Sequence, residues 1–310
     1  MQGNMKISRR RFFPLAGGVL AAAAFSRRML GAQAFPVGIQ LYTVNAELAK
    51  DPAGTLKKIA QMGYTEVETA GFGTLSAAQF RDLVRDAGLR TPSAHLEFGP
   101  EDTGKLLHDA KTLGVEYAVS SALLPDGPQG VQNFLKIVDH LSADDFRNIA
   151  AKANEIGKKA KAAGLQYAYH NHNFEFRDLG GGQTGYDILL QGTDPSLVKF
   201  EADCGWMKVA GKDPIDYLTR HGDRFAMLHV KDFKNITNPV TTIGAFMSQA
   251  SDLPMPTELG RGSIDLKPIV EAGLKAGVKH IFVEQEPPFK QVPAMEAAAI
   301  DCRFLTSLLS

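Results

Sequence analysis

Residues 161–172 read KAAGLQYAYHNH, a helix-like stretch that ends at a glycine and runs directly into a β-rich segment. The same pattern recurs in AQMGYTEVE, RDAGLRTPS, KTLGVEYAV and KAGVKHIFV. Its glycines are Gly63, Gly88, Gly114, Gly164 and Gly277. A glycine just past a helix relieves the left-handed conformation that closes the last turn, so each repeat predicts a helix end followed by a strand. The first three glycines are 25 and 26 residues apart, which is the length of one βα unit.

This pattern predicts eight strands, at residues 37–44, 66–70, 91–95, 117–120, 166–172, 198–203, 225–231 and 280–284. Between them lie segments such as DDFRNIAAKANEIGKKAKAA, in which apolar residues recur every three or four positions as on one face of a helix. Alternation of strands and helices over residues 35–310 predicts one α/β domain, a single (β/α)8 TIM barrel. A doubly wound open sheet is the alternative, although no G-x-G-x-x-G motif follows the first strand.

The charge balance of the chain excludes several kinds of partner. The sequence has 34 basic and 34 acidic residues, without a basic stripe or a basic run rich in aromatic residues. Neither nucleic acid nor an anionic membrane is therefore expected as a partner. The two cysteines, Cys204 and Cys302, are too few for a disulfide framework, and both are expected to be free thiols. Homo-oligomerisation stays open.

Residues 1–34 have the features of an export signal. SRRRFF at residues 8–13 is a twin-arginine pattern, and it precedes a mildly apolar run at 15–25 and the small-x-small cleavage site AQA at 32–34. We expect cleavage near Phe35, export by the twin-arginine route and residence in the periplasm or at the cell surface, without a membrane anchor after processing. The alternative, a first helix of the domain, is disfavoured by the glycine pair within the apolar run, which is also too short to span a bilayer.

Residue types that bind divalent metals occur on four successive predicted strands late in the chain. They are His170 with His172, Asp203, His229 and Glu284. Catalytic residues of α/β barrels stand at the carboxyl ends of the strands, so these side chains are expected to converge at one mouth of the barrel. Imidazole together with carboxylate favours Mn, Zn or Co over Mg. We predict one such ion, held by one of the two histidines together with Asp203, His229 and Glu284, with a position open to substrate.

Each of these residues also has a structural alternative. A lone aspartate such as Asp203 commonly caps a turn, and a buried histidine such as His229 is often satisfied by a backbone carbonyl. Glu284 is harder to explain as structure, because an unpaired carboxylate beside a buried apolar strand is costly. On the fifth strand we expect one histidine to bind the metal and the other to act as an acid, a base or a substrate ligand, roles that suit neutral imidazole near pH 7.

Further polar and aromatic residues are predicted near the same mouth as substrate contacts. They are Glu68, His95, Glu175, Trp206, Lys231 and Glu286. For Lys231 the alternative is a solvent-exposed ion pair. For Trp206, the only tryptophan, it is packing in the core rather than against the apolar face of a sugar. The two prolines after Glu286 place it in a loop, where a contact at the rim is expected.

From Phe35 to the C-terminus the sequence resembles the xylose isomerase-like TIM barrels, a superfamily of sugar phosphate isomerases/epimerases that includes inosose dehydratases. The phrases that carry the resemblance are GIQLYTV, GYTEVETAG, YHNH, the D-x-G-W of residues 203–206, LHVKD, ELGRGSIDL and VEQE, in this order. The resemblance implies one divalent ion bound through Glu, Asp, His and Glu of strands five to eight. It assigns the last three to Asp203, His229 and Glu284 and puts His170 where many members have the first Glu.

His170 departs from the pattern of the family's epimerases, which use two metal-bound glutamates, one removing a proton and the other returning it. A histidine on the fifth strand more closely resembles the dehydratase and lyase branch, in which a single base acts and a leaving group departs. Both branches begin by removing a proton α to a carbonyl.

We therefore expect a metal-dependent isomerase or epimerase of an unphosphorylated sugar, keto-sugar or cyclitol, with Glu284, His172 and His170 as catalytic residues. One alternative is a lyase or dehydratase that acts on keto-sugars or keto-glycosides. Another is a non-catalytic periplasmic sugar-binding barrel.

Overall fold

The structure is a computed structural model that describes Met1 and residues 35–99, 102–125, 134, 136–247 and 252–310. Residues 35–310 form one compact unit. Apart from Met1, the predicted export signal lies outside the described residues. Within the described part of the chain, no helix is both long enough and apolar enough to cross a membrane.

The described residues contain a closed barrel of eight parallel strands and a separate two-stranded antiparallel sheet. In chain order the strands are β1 (Gly38–Gln40), β2 (Glu66–Ala70), β3 (Arg90–His95), β4 (Tyr117–Ser120), β5 (Gln166–His170), β6 (Val198–Asp203), β7 (Phe225–Val230), β8 (Asp232–Lys234), β9 (Met255–Thr257) and β10 (His280–Val283). β8 and β9 form the small sheet. In the barrel, β1 pairs with both β2 and β10. This closure confirms the predicted (β/α)8 barrel, and the open-sheet alternative is wrong.

Helices connect the strands around the outside of the barrel. The described α-helices are Asn45–Lys50, Pro52–Met62, Ala77–Asp86, Thr103–Leu113, Ala143–Ala162, Gly185–Gly192, Cys204–Val209, Pro214–Arg220, Ile243–Met247, Leu266–Ala276 and Ala294–Leu309. Short 3-10 turns span Leu41–Val44, Val138–His140, Phe174–Phe176 and Gly222–Arg224. Gly63, Gly114 and Gly277 directly follow helices with φ of 112°, 84° and 91°, as the sequence pattern predicts. Cys204 and Cys302 are buried free thiols.

The barrel interior is filled in layers, because successive side chains of a strand point alternately inward and outward. A buried apolar cluster consists of Tyr117, Val119, Ala168, Ala226, Met227 and Phe282. His170, His229 and Glu284 come two residues after Ala168, Met227 and Phe282 of this cluster, so each points to the same side of its strand, one step nearer the carboxyl end. The apolar cluster is therefore the floor of a polar site.

Candidate metal centre

Four predicted metal ligands meet at the carboxyl end of the barrel. His170 ends β5, Asp203 ends β6, His229 is the penultimate residue of β7 and Glu284 follows β10. Their candidate ligand atoms all lie within 4.8 Å of one another, and all four residues are buried. We name these residues the outer group. Its mixture of imidazole and carboxylate suits a borderline divalent ion.

A second set of candidate ligands shares two residues with the outer group. It consists of His95, His170, Glu201 and His229, whose candidate atoms also lie within 4.8 Å of one another, and we name it the inner group. Glu201 was not predicted from the sequence. It precedes Asp203 by two residues on β6 and so faces the same side. An acidic residue that alternates with buried apolar neighbours was the signal that could have identified it.

Three imidazoles converge on one oxygen of Glu201. Glu201 Oε2 lies 2.8 Å from His95 Nε2. It also lies 3.1 Å from His170 Nδ1 and 3.2 Å from His229 Nε2. Burial favours the neutral acid, but the neighbouring imidazoles outweigh this effect and hold the pKa of Glu201 well below its usual range. The other oxygen, Oε1, is buried and has no hydrogen-bond partner among the described residues.

Glu68 and His95, predicted as substrate contacts, belong to this deeper layer. Glu68 Oε2 lies 2.7 Å from His229 Nε2 and 3.1 Å from His95 Nε2. Gln40 Nε2 donates to the same oxygen at 2.8 Å, and Ser93 Oγ donates to Oε1. Burial works against the imidazolium form of His95, but Glu68 and Glu201 raise the pKa of His95 to about 10. Both predicted residues thus bind other side chains of the barrel interior.

His229 connects the two groups through its two ring nitrogens. Its Nδ1 is 3.0 Å from Glu284 Oε2, while its Nε2 faces Glu68 and Glu201. A neutral imidazole has one N–H and one lone pair, so a carboxylate that accepts the N–H on one side leaves the other nitrogen to bind a metal. His229 can therefore be a ligand in either group, depending on which carboxylate accepts its proton.

Lys231 places a buried ammonium among the carboxylates of the outer group. Its Nζ is 3.0 Å from Asp203 Oδ2, 3.0 Å from Glu284 Oε2 and 2.6 Å from Glu286 Oε1. Burial opposes the charged amine, but these three carboxylates raise the pKa of Lys231 well above its ordinary value. The alternative of a solvent-exposed ion pair is wrong, because the side chain of Lys231 is fully buried.

Asp203 combines a structural contact with its place in the outer group. Its Oδ1 accepts a hydrogen bond from Trp206 N at 2.8 Å and so caps the helix Cys204–Val209. Its Oδ2 makes no hydrogen bond within the described residues and has the Lys231 ammonium 3.0 Å away as an ion-pair partner. Trp206 itself is buried, and its Nε1 donates to Glu286 Oε1 at 3.1 Å. Asp203 thus caps a helix with one carboxylate oxygen and leaves the other as a candidate metal ligand.

His172 and Glu175 stand beside the outer group and are joined to each other. The backbone N–H of His172 donates to Glu175 Oε2 at 2.9 Å, and Tyr169 Oη donates to Glu175 Oε1 at 3.0 Å. Burial raises the pKa of Glu175 to about 8. Burial, followed by the charges of His170 and Lys231, holds the pKa of His172 well below its usual range. His172 Nδ1 is buried without a partner among the described residues, so the ring is neutral and keeps an uncommitted nitrogen.

The donor atoms of the two groups fit a divalent ion. Glu201 Oε1 is buried and makes no hydrogen bond in the described part of the chain, whereas Asp203 Oδ2 has the Lys231 ammonium 3.0 Å away. A buried acceptor without a donor costs about 1–3 kcal/mol, a cost that a bound cation removes. Together with the imidazoles of His170 and His229, such oxygens form a donor set for Mn, Zn or Co.

Comparison with known proteins agrees with this architecture. The family model for xylose isomerase-like TIM barrels matches residues 56–308, and the chain belongs to this family. An inosose dehydratase of Lacticaseibacillus casei is 31% identical over 153 residues, 47% of this chain and 49% of that protein. The inosose dehydratase of Bacillus licheniformis is 26% identical over 247 residues, 75% of this chain and 80% of that protein. The chain thus spans about half the length of the first curated relatives it matches and 80% of the Bacillus licheniformis protein.

Among solved structures, a sugar phosphate isomerase/epimerase from Parabacteroides distasonis superposes with a TM-score of 0.69 at 22% identity. The match covers 91% of this chain and 99% of that one. At this level of identity the likeness shows the fold. The curated relatives named above are inosose dehydratases, and the described residues of this chain contain a candidate metal-binding cluster.

Proposed function

We propose that the protein is a metal-dependent enzyme of the isomerase/epimerase type, which removes a proton α to a carbonyl of an unphosphorylated sugar, keto-sugar or cyclitol. The observation that carries this proposal is the outer group, four buried ligands with candidate atoms within 4.8 Å of one another beside an uncommitted imidazole. His170, Asp203, His229 and Glu284 would hold the ion. When bound, it would supply Lewis acidity that polarises the carbonyl and an adjacent hydroxyl.

His172 is the best-placed proton acceptor of the predicted catalytic residues. Its pKa lies well below the usual range, so its ring is neutral at physiological pH, and its Nδ1 has no partner among the described residues. Glu284, the other predicted acceptor, is already within 3.0 Å of Lys231 Nζ and of His229 Nδ1. Burial opposes its charge, but these neighbours hold the pKa of Glu284 well below its usual range and make it a weaker base.

The residues around Lys231 are suited to bind the hydroxyl groups of a substrate. The ammonium of Lys231 and the carboxylate of Glu286 lie 2.6 Å apart at the mouth of the barrel, and Glu286 is partly exposed. A sugar hydroxyl can donate to the carboxylate and accept from the ammonium, so this pair can exchange its internal contact for contacts with a ligand. Trp206 lies behind it, with Lys231 Nζ 5.0 Å from its ring centroid.

Dehydration of a keto-sugar or cyclitol is the second candidate, and two observations favour it. The inosose dehydratases of Lacticaseibacillus casei and Bacillus licheniformis are relatives of this chain. In addition, β5 ends in His170, at the position where the resemblance to the two-glutamate epimerases implies a glutamate. A single base followed by loss of water needs no second carboxylate on this strand. Both candidates share the removal of the α proton.

Deuterium exchange tests the shared step. The metal-loaded protein is incubated in deuterium oxide with 3-keto-sugars and inososes, and the carbon-bound protons are followed by NMR. We expect metal-dependent loss of the signal α to the carbonyl; inversion or carbonyl migration then identifies an epimerase or isomerase, and an unsaturated product identifies a dehydratase. Saturable binding of these compounds without any exchange would instead establish a non-catalytic sugar-binding barrel.

A further inference from the structure

The inner group combines three imidazoles with a carboxylate beneath the mouth of the barrel. We propose that it is a metal site in its own right, which holds a borderline divalent ion such as Zn²⁺ or Co²⁺ in the resting protein. The outer group, to which the proposed reaction belongs, is then a second position for the ion. Such binding needs no substrate and is independent of the proposed reaction.

The geometry of the inner group is that of a nearly formed ligand set. His95 Nε2, His170 Nδ1 and His229 Nε2 lie between 2.8 and 3.2 Å from Glu201 Oε2. Three imidazoles with one further ligand make the four-coordinate sites typical of zinc. The four residues come from β3, β5, β6 and β7, so the barrel itself fixes their spacing.

The charges of the inner group favour a divalent cation. Glu201 and Glu68 are both fully buried, and both face His229 Nε2, at 3.2 and 2.7 Å. Two buried carboxylates balance an ion of charge +2. Glu201 Oε1 is the independent indication of a missing partner, because it is buried and has no hydrogen-bond donor within the described residues.

The surrounding residues can hold the histidines ready to bind. Glu284 Oε2 lies 3.0 Å from His229 Nδ1, and a carboxylate that accepts this N–H directs the lone pair of Nε2 into the inner group. Gln40 and Ser93 both donate to Glu68, which fixes that carboxylate beside the site. Supporting contacts of this kind commonly raise metal affinity.

In the resting protein, Lys231 opposes the binding of an ion in the outer group but not in the inner group. Its ammonium lies 3.0 Å from both Asp203 Oδ2 and Glu284 Oε2, the oxygens that the outer group would offer to an ion. An ion that binds there has to displace this ammonium, whereas the ion pairs of the inner group within the described residues join only histidines and glutamates. His170 and His229 belong to both groups, so one ion at a time is held with full coordination. The inner group is therefore the first to fill.

Zinc affinity of single variants tests the inner site. His95 and Glu201 belong to the inner group alone, so His95→Gln and Glu201→Gln should each weaken Zn²⁺ binding at least about tenfold in competition with a chromogenic chelator. Asp203→Asn removes an outer ligand and should retain Zn²⁺ near the wild-type affinity. Glu66→Gln is the matched control, since Glu66 is a buried carboxylate 2.8 Å from His280 Nδ1 and lies in neither group.

The Co²⁺-loaded wild-type protein gives a second readout that requires no variant. Four-coordinate cobalt in the inner group should show intense visible absorption bands, whereas six-coordinate cobalt in a carboxylate-rich site absorbs weakly. Zn²⁺ affinity of His95→Gln within twofold of the wild-type value, or weak cobalt bands in the wild-type protein, would overturn the proposal. Absence of deuterium exchange with carbonyl sugars would contradict the proposed reaction but would not change the expected Zn²⁺ affinities or cobalt bands.

Discussion

His172 is the side chain on which the proposed chemistry most depends. Replacing it by alanine removes the uncommitted Nδ1 while leaving His170, Asp203, His229 and Glu284 in place. We expect proton exchange in deuterium oxide to fall about 10²- to 10⁴-fold, the usual effect of losing a catalytic base, with metal content unchanged. His108→Ala, on an exposed helix surface, is the control. Exchange that survives in His172→Ala but disappears in a Glu284→Gln protein that keeps its metal would identify Glu284 as the base.

Glu175 should make stability depend on pH, since burial raises its pKa from the ordinary 4.5 to about 8. The folded protein then keeps this proton at pH values where the unfolded chain has lost it, so the free energy of unfolding falls as the pH rises from about 4.5 through about 8. Glu175→Gln, which resembles the protonated acid, should flatten this dependence in urea titrations across the range. Glu155→Gln, on the exposed face of a helix, should keep the wild-type slope, and an equal slope in both variants would contradict the assignment.

Among the larger elements, the segment between β9 and the helix Leu266–Ala276 is held by one carboxylate. The Asp232 carboxylate accepts four backbone hydrogen bonds, one from the next residue and three from this segment. The donors are the N–H groups of Phe233 at 2.9 Å, Gly260 at 3.0 Å, Gly262 at 2.9 Å and Ile264 at 3.2 Å. Asp232→Ala leaves these donors without their acceptor and should lower the free energy of unfolding by about 1–3 kcal/mol. Hydrogen exchange of residues 255–264 should accelerate at the same time.

The control for this segment is Asp265→Ala. Asp265 precedes the same helix but makes no capping hydrogen bond through its side chain, so its loss should leave hydrogen exchange of residues 255–264 near the wild-type rate. Equal effects of the two substitutions would show that Asp232 does not hold the segment.

For the molecule as a whole, we propose export by the twin-arginine route, on the basis of SRRRFF at residues 8–13 and the apolar run that follows it. This route carries folded proteins, so the metal could be loaded before export. Changing Arg9 and Arg10 together to lysine should leave unprocessed protein in the cytoplasm, as measured by cell fractionation and intact mass. Changing Lys6 to arginine keeps the pair and should not affect export. Normal processing of the double variant would exclude this route.

Much of the fold and part of the site were predictable from local sequence. The helix-ending glycines and the alternation of strand residues are local properties, and they predicted the eight barrel strands within a few residues at each end. Because the carboxyl ends of parallel strands share one mouth, His170, Asp203, His229 and Glu284 could also be expected to meet. Their ligand atoms do lie within 4.8 Å of one another.

The inner group and the partners of Lys231 depend on contacts that local sequence does not encode. Glu68 and His229 lie 2.7 Å apart although 161 residues separate them in the chain, because closure of the barrel through β1 and β10 brings the side chains of β2 and β7 into one interior. Glu201 became part of a site through its register opposite His170 on β5. The alternation of residues along a strand determines which side chains point inward. Closure of the barrel and strand register determine which of these side chains meet. The charge of Lys231 in turn depends on the carboxylates that the fold places around it.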